Sequence, residues 1–245
     1  SIFNEILSAE NFNKCMGFDT TDRFLNNWSL AYSSGILNAL LCPFMAKAST
    51  VICEPFDAKT AMTFWEIVTT HKANTLWLSP TMIASLNRLD KNPDGQKIAS
   101  SEIKTVCCET APLPTSVKEH FEAKYKTVIY ESYGLSETLF ISTQTKNSPS
   151  RPNSVGEILD DIEIFIDGSS TDNSTKNGEI IISAKTTMIG YISDSIDEAL
   201  SNAKNSFSSG DLGYIDEEGY LYITGRKKDI IIRNGYNISP LAIIE

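Results

Sequence analysis

The 245-residue chain has 41% hydrophobic and 21% charged residues, a balance that excludes a wholly disordered protein, a collagen-like repeat and a coiled coil. Its length exceeds the roughly 100–150 residues of a typical domain, which predicts two compact units or one unit with part of another. The net charge of −10 argues against nucleic acid or anionic lipid as a partner, because both attract clusters of Lys and Arg.

The cysteines and the apolar runs indicate a cytoplasmic protein without a membrane span. Five cysteines without regular spacing favour reduced thiols over a disulfide framework. No run approaches the roughly 18–20 apolar residues of a membrane helix, and no signal-peptide pattern opens the sequence. Because the chain begins at Ser1 rather than at a methionine, we expect it to be a piece of a longer protein.

Up to residue 145, strand-like runs alternate with helical patterns. The predicted strands are Thr50–Cys53, Thr75–Leu78, Ile103–Cys107 and Thr127–Tyr130. The predicted helices are Ala58–His71, Pro80–Leu89 and Thr115–Tyr125. This alternation predicts an α/β fold, a doubly wound and mostly parallel sheet over residues 1–145, with ligands at the carboxyl ends of the strands.

After residue 145 the pattern changes. A polar segment, 146–152, is followed by short predicted strands separated by Gly and Asp, namely Ile162–Ile166, Glu179–Ser183, Tyr214–Ile215 and Tyr220–Thr224. This favours a small β-rich, distorted barrel-like subdomain over residues 146–228. Residues 229–245 are expected to hold a hinge and the start of a further small domain.

The stretch from Glu131 to Thr138 directly follows a predicted strand, where the fold would place a ligand. The ring of Tyr133 can cover a purine, and Gly134 allows close backbone approach. The hydroxyl of Ser136 can bond a phosphate oxygen, and the carboxylate of Glu137 can hold Mg²⁺. A plain turn at the end of a strand explains the same residue types equally well.

Two later stretches carry groups that suit a nucleotide. Asp211 lies between two glycines and can accept hydrogen bonds from a ribose diol, although by itself this pattern favours a hairpin turn. Arg226 opens a run of charges, Gly225–Asp229, that precedes an apolar run. A run of charges usually forms a solvated surface. The guanidinium of Arg226 is, however, also the kind of group that an anionic ligand would need in this acidic chain.

Taken together, these stretches resemble the adenylate-forming (AMP-binding) superfamily, which includes acyl-CoA synthetases, luciferases and peptide-synthetase adenylation domains. The family's Tyr-Gly-x-Thr-Glu motif is matched by Tyr133–Glu137, with Ser136 in place of Thr. Three further family motifs and a loop are matched at 178–191, 209–213, 225–238 and 111–113. The resemblance implies ATP-dependent activation of a carboxylic acid as an acyl-adenylate, followed by transfer to the thiol of CoA or of a carrier protein.

The resemblance implies a role for each matching residue. It places adenine between Tyr133 and the loop of Thr110, Ala111 and Pro112, with Glu131 near the adenine amino group. It places the ribose on Asp211 and a ribose or phosphate oxygen on Arg226. It places the α-phosphate on Ser136 and the Mg²⁺ on Glu137. The acyl pocket would be formed by Tyr32, Glu109 and Gly134, and Lys228 would lie at the hinge.

The chain also departs from the family pattern. Glu109 stands where many relatives have glycine, and a carboxylate left unpaired there would favour small or polar acids over long fatty acids. The phosphate-binding loop and the lysine of the small domain have no match, so we expect residues 1–245 alone to be inactive. The alternatives are an amino-acid adenylation domain, disfavoured because no Asp lies near Tyr32, and a non-catalytic nucleotide-binding remnant.

Overall fold

The computed structural model describes residues 1–148, 151–168, 177–191, 206–233 and 236–240. In its first half, helices and strands alternate. The strands are β1 (Arg23–Asn26), β2 (Ser49–Ile52), β3 (Thr75–Leu78), β4 (Thr105–Cys108) and β5 (Ile129–Leu135). The helices are α1 (Ile2–Met16), α2 (Ser33–Ile36), α3 (Cys42–Met45), α4 (Ala58–His71), α5 (Pro80–Leu89), α6 (Gly95–Glu102) and α7 (Thr115–Tyr125). A π-helical segment, Leu37–Leu41, joins α2 to α3.

Helices α4, α5 and α7 have the bounds that the sequence predicts, because local signals fix their ends. Asp57 caps α4 by accepting the backbone N–H of Thr60 at 2.7 Å, and Lys72 ends the helix in a left-handed conformation. Ser79 caps α5 immediately before Pro80. Helix α1 and strand β1 are not among the predicted elements.

The first half of the sheet is parallel and is packed on both faces. Strands β2, β1, β3, β4 and β5 follow one another in this order, each parallel to its neighbours. Leu76 and Leu78 of β3 pack with α4, α5 and α7, whereas Trp77 packs with α1 on the other face. Cys107 and Cys108 divide between the same two faces. This confirms the predicted doubly wound α/β arrangement.

The second half of the sheet is antiparallel. Its strands are β6 (Leu139–Thr143), β7 (Ser154–Ile158), β8 (Ile162–Asp167), β9 (Gly178–Ala184), β10 (Phe207–Ile215) and β11 (Tyr220–Arg226). They continue the order after β5 as β6-β7-β11-β10-β9-β8, which gives eleven strands within the described residues. Two further strands, β12 (Ile231–Arg233) and β13 (Tyr236–Ile238), pair only with each other there. The predicted β-rich second part of the chain is thus present.

Parallel pairing gives way to antiparallel pairing at β5, ahead of the predicted boundary at residue 145. Strand β5 is parallel to β4 on one side and antiparallel to β6 on the other. The polar segment 146–152 connects β6 and β7, which are hydrogen-bonded to each other. The domain bounds 1–145, 146–228 and 229–245 therefore stay predictions.

Strand β10 is longer than predicted and contains Asp211. It begins at Phe207 instead of Tyr214, and Asp211 lies opposite Arg226 of β11. The interpretation of Asp211 as part of a hairpin turn is wrong. The composition hides the strand, because Ser, Gly and Asp are depleted in strands, and the register is interrupted after Leu212.

None of the helices in the described ranges combines the length and the apolar character that crossing a bilayer requires.

Candidate functional site

Two adjoining cavities lie where β4 and β5 meet the loops that follow them. The larger, which we call the cleft, has a volume of about 460 Å³ and is lined by the 110–113 loop, β5, β10 and β11. The smaller, which we call the small cavity, has a volume of about 220 Å³ and is lined by residues 32–34, 37 and 38, by Glu109 and by the turn after β5. Thr110, Gly134 and Arg226 line both cavities, so these residues form their common wall.

Asp211 is the buried centre of a polar cluster in the cleft. Its side chain is 3% exposed, and its two oxygens accept from Arg226 Nε at 2.8 Å and from Tyr133 OH at 2.7 Å. Arg226 lies directly opposite on the neighbouring strand, so cross-strand pairing holds the ion pair in place. The Arg226 side chain is 50% exposed and can therefore also meet a ligand from solvent.

The ring of Tyr133 stands beside this carboxylate. Burial, together with the negative charge of Asp211, raises the pKa of the Tyr133 phenol far above its ordinary value. The hydroxyl is therefore protonated at neutral pH and donates to Asp211. The sequence predicts a ligand contact for the Tyr133 ring but not the hydrogen bond from its hydroxyl to Asp211. Asp211 lies 78 residues further along the chain, and no local pattern links the two residues.

The opposite wall of the cleft is the loop after β4. Thr110, Ala111 and Pro112 all line the cleft, as does Glu131 of β5. Thr110 has a φ of 86°, a conformation that is rare for a β-branched residue and is found more often at functional sites than elsewhere. The Glu131 carboxylate accepts from Lys118 Nζ at 2.8 Å, and both side chains are largely buried. Lys118 is not among the predicted site residues.

Ser136 and Glu137 lie in the turn between β5 and β6, next to Gly134. A Cβ atom on Gly134 would lie 2.4 Å from the backbone oxygen of Leu139, so this crowding between the two strands requires glycine. Glu137 Oε1 accepts from the hydroxyl of Tyr191 at 2.8 Å, which orients the carboxylate. The position of the turn in the small cavity thus depends on a close backbone contact that only glycine permits.

The described residues contain no group of three or more His, Cys, Asp or Glu side chains that could hold a metal ion by themselves. Mg²⁺ in phosphate sites is typically held by one or two carboxylates together with phosphate oxygens. The carboxylate of Glu137, which lines the small cavity, fits such a site.

Glu109 begins the loop after β4 and lies against the helical segment that includes α2. Its Oε1 accepts from Asn38 Nδ2 at 2.8 Å and from Ser34 Oγ at 3.1 Å, and its Oε2 accepts from Ser132 Oγ at 3.4 Å. Burial raises the pKa of Glu109, although these donors oppose the rise. The Glu109 carboxylate is therefore hydrogen-bonded by three neutral side chains, and the expected preference for small or polar acids stays a prediction.

Tyr32 also lines the small cavity, and its half-exposed ring stacks on Trp28 with 6.1 Å between centroids. No Asp lies near Tyr32 in the sequence, but the fold brings the Glu109 carboxylate to Ser34, two residues further on. The sequence argument against a substrate amine therefore does not hold. Ser34 and Asn38 lie four residues apart, a spacing that places two polar side chains on one helix face.

Lys228 is the one predicted site residue that lines neither cavity. It lies in the 3₁₀ turn Lys227–Asp229 after β11, and its side chain is exposed. Its neighbour Asp229 lines the cleft. The role of Lys228 as a hinge stays a prediction.

Comparison with known proteins places these features in context. A family model described as AMP-binding enzyme matches residues 1–192. The chain is 33% identical over 187 residues to a long-chain-fatty-acid–CoA ligase of Bacillus subtilis, covering 74% of this chain and 32% of that protein. It is 30% identical over 237 residues to a sulfoacetate–CoA ligase of Cupriavidus necator, covering 94% of this chain and 44% of that protein.

Solved structures agree with the sequence matches. The O-succinylbenzoate coenzyme A synthetase of Bacillus subtilis, in complex with ATP and magnesium, superposes with a TM-score of 0.77 at 27% identity. The match covers 97% of this chain and 48% of that structure. The chain thus spans between a third and a half of the length of these relatives.

Proposed function

This chain belongs to the family of AMP-binding enzymes, and on that premise we propose that the protein carrying it joins a carboxylic acid to a thiol at the expense of ATP. The acid would first be activated as an acyl-adenylate and then transferred to the thiol. The curated relatives quoted above are CoA ligases, which supports CoA over a carrier protein as the acceptor.

The observation that carries the proposal is the common wall of the two cavities. Thr110, Gly134 and Arg226 line both the cleft and the small cavity. A nucleotide in the cleft and an acid in the small cavity would therefore meet at these residues. Holding two reactants in contact is the main requirement of such a transfer, because proximity and orientation can supply several kcal/mol of the barrier.

The cleft offers a matching group for each part of the nucleoside. The Tyr133 ring and the Thr110–Pro112 loop are two walls for adenine, and Glu131 lies on the same cleft surface. Asp211 is a buried carboxylate whose donors, Arg226 and Tyr133, are side chains that a ribose diol could replace in part. These features support the ribose assignment.

Charge is the main obstacle to the reaction, since a carboxylate must approach a triphosphate. ATP, when bound, supplies the electrophilic α-phosphorus and the pyrophosphate leaving group, and Mg²⁺ supplies positive charge to both. The acid's oxygen forms the new bond to the α-phosphorus as the bond to pyrophosphate breaks. Arg226 at the common wall would stabilise the charge between the reactants, and one charge about 4 Å away is worth about 4 kcal/mol at an effective dielectric of 20.

The turn after β5 would serve the phosphates. Ser136 offers a hydroxyl donor, and Glu137 offers a carboxylate whose Oε1 is held by Tyr191. With Oε1 held by Tyr191, the carboxylate of Glu137 would be the group that holds Mg²⁺. Preorganised groups of this kind stabilise developing charge without reorganising during the reaction.

Pyrophosphate exchange in the intact protein, measured over a panel of carboxylic acids, tests the proposal. Arg226→Met should lower acid-dependent exchange about 100-fold, the loss typical of one preorganised donor. Arg151→Met is the matched control, because Arg151 pairs with Asp216 at 3.1 Å and lines neither cavity. Exchange that is absent for every acid, or equal in the two variants, would contradict the proposal and support a non-catalytic role.

A further inference from the structure

The small cavity contains two acceptor groups, the Glu109 carboxylate and the Asn38 amide oxygen, that can take a further donor. The Glu109 carboxylate accepts from Asn38, Ser34 and Ser132, and only the contact at 2.8 Å from Asn38 is short. The Ser132 contact to Oε2 is 3.4 Å long, so this oxygen is weakly bonded and can accept a further donor.

Asn38 supplies a second acceptor. Its Nδ2 must face Glu109, because the opposite amide orientation would set two oxygens against each other. Its Oδ1 is buried and has no hydrogen-bond partner in the described part of the chain. A buried polar atom without a partner costs roughly 1–3 kcal/mol, so a ligand that donates to this corner would gain from satisfying it.

The charged side chains around the small cavity also favour a positively charged ligand. Its lining, all of it within the described residues, contains the carboxylates of Glu109 and Glu137 and one cationic side chain, that of Arg226. Arg226 already pairs with Asp211. With a neutral or purely acidic substrate tail, Glu109 would have no counter-ion, and burial would favour its protonated form over the carboxylate.

We propose that the acid taken up by this cavity is a small amino acid and that Glu109 binds its ammonium group. This deepens the proposed function and rests on it, because it assigns the small cavity to the acid. An ammonium group carries three donors and a positive charge, which suits the Glu109 carboxylate and the Asn38 amide oxygen. The small volume of about 220 Å³ suits a short acid.

Pairs of acids that exchange an ammonium for a methyl group test this proposal directly. Suitable pairs are 3-aminopropanoate with butanoate and 4-aminobutanoate with pentanoate. Dissociation constants are measured for the 245-residue chain by ligand-observed NMR, in the presence of AMP, so that the readout does not depend on turnover. We expect the amino member of at least one pair to bind ten or more times more tightly than its methyl partner.

Glu109→Gln should remove this preference by weakening the amino member alone. The matched control is Glu122→Gln, since Glu122 is also a half-buried carboxylate, bonded to the backbone N–H of Ile129 at 2.9 Å, but lines neither cavity. It should keep the wild-type preference. Ser132→Ala provides a second variant in which the carboxylate remains, and it too should keep the preference.

The proposal would be overturned by equal binding within every pair, by an unchanged preference in Glu109→Gln, or by no binding of any acid. 3-Hydroxypropanoate binding as tightly as 3-aminopropanoate would also overturn it, because hydrogen bonding without charge would then suffice. Pyrophosphate exchange separates this inference from the proposed function. Exchange with butanoate but not with the amino acids contradicts only the inference, whereas tight amino-acid binding without exchange contradicts only the adenylation.

Discussion

Replacing Asp211 by asparagine removes one negative charge from the cleft and preserves the shape of the side chain. The folded chain should tolerate the change. A fully buried ion pair costs about 3–5 kcal/mol when one partner is removed, but the Arg226 side chain is 50% exposed and can be solvated instead. We therefore expect the free energy of unfolding to fall by about 1–2 kcal/mol.

Nucleotide binding should weaken by a definite amount. Hydrogen bonds to charged groups contribute about 1.5–3 kcal/mol. Both oxygens of Asp211 already accept hydrogen bonds, from Arg226 and Tyr133. The net free energy of ribose binding is therefore only the difference between the hydrogen bonds that the ribose makes and those that it replaces. The lower end of the range, about 1.5 kcal/mol, corresponds to a roughly tenfold rise in the Kd for AMP.

Calorimetric titration of the 245-residue chain with AMP and with 2′,3′-dideoxy-AMP measures this effect. Asp211→Asn should weaken AMP about tenfold and leave the dideoxy nucleotide unchanged, since the latter lacks both hydroxyls. Asp216→Asn is the control, because Asp216 accepts from Arg151 at 3.1 Å and from Tyr222 at 3.3 Å outside the cleft. Equal weakening of both nucleotides would show general damage to the cleft, and unchanged AMP binding would refute the ribose assignment.

Three further substitutions probe the same region. Burial raises the pKa of Glu109 above its ordinary value of 4.5, so the wild-type chain loses stability as the pH rises through that pKa. The Tm of Glu109→Gln should therefore exceed the wild-type Tm by more at pH 7 than at pH 4. An equal difference at the two pH values would contradict this. Gly134→Ala should lower the free energy of unfolding by more than 2 kcal/mol in urea titrations, because its Cβ would meet backbone at 2.4 Å, whereas Gly17→Ala, with a φ of 69° and open space, should lose only about 1 kcal/mol. Lys118→Met should lower the free energy of unfolding by about 2–3 kcal/mol, since it removes the cation paired with Glu131 at 2.8 Å. A loss below about 0.5 kcal/mol would mean that the pair contributes no more than a surface salt bridge.

The parallel half of the fold was predictable because its signals are local. Caps such as Asp57 and Ser79 fix helix ends within one turn of chain, and apolar runs mark strands that are buried on both faces. Strand β10 was not predictable in the same way. Its Ser-Ser-Gly-Asp composition is that of a turn, and only pairing with β9 and β11 makes it a strand.

In the candidate site, too, local features were predictable from the sequence and long-range contacts were not. Motif residues such as Tyr133 and Asp211 could be named from the sequence, because the family pattern gives their positions. Their contact with each other could not, and neither could the donors around Glu109, since Ser34 and Asn38 lie 75 and 71 residues away from it. Long-range contacts of this kind depend on how the helical segment packs across β4, which no local pattern encodes.

Strand β5 belongs at once to the parallel and the antiparallel half of the sheet, and this has a consequence for how the protein melts. The cleft takes Tyr133 from this shared strand and Asp211 from β10, deep in the antiparallel half. Opening of either half would separate the two residues and release a bound nucleotide, even while the other half kept its hydrogen bonds. Nucleotide binding should therefore oppose the opening of either half, and saturating AMP should raise the temperature at which the chain unfolds.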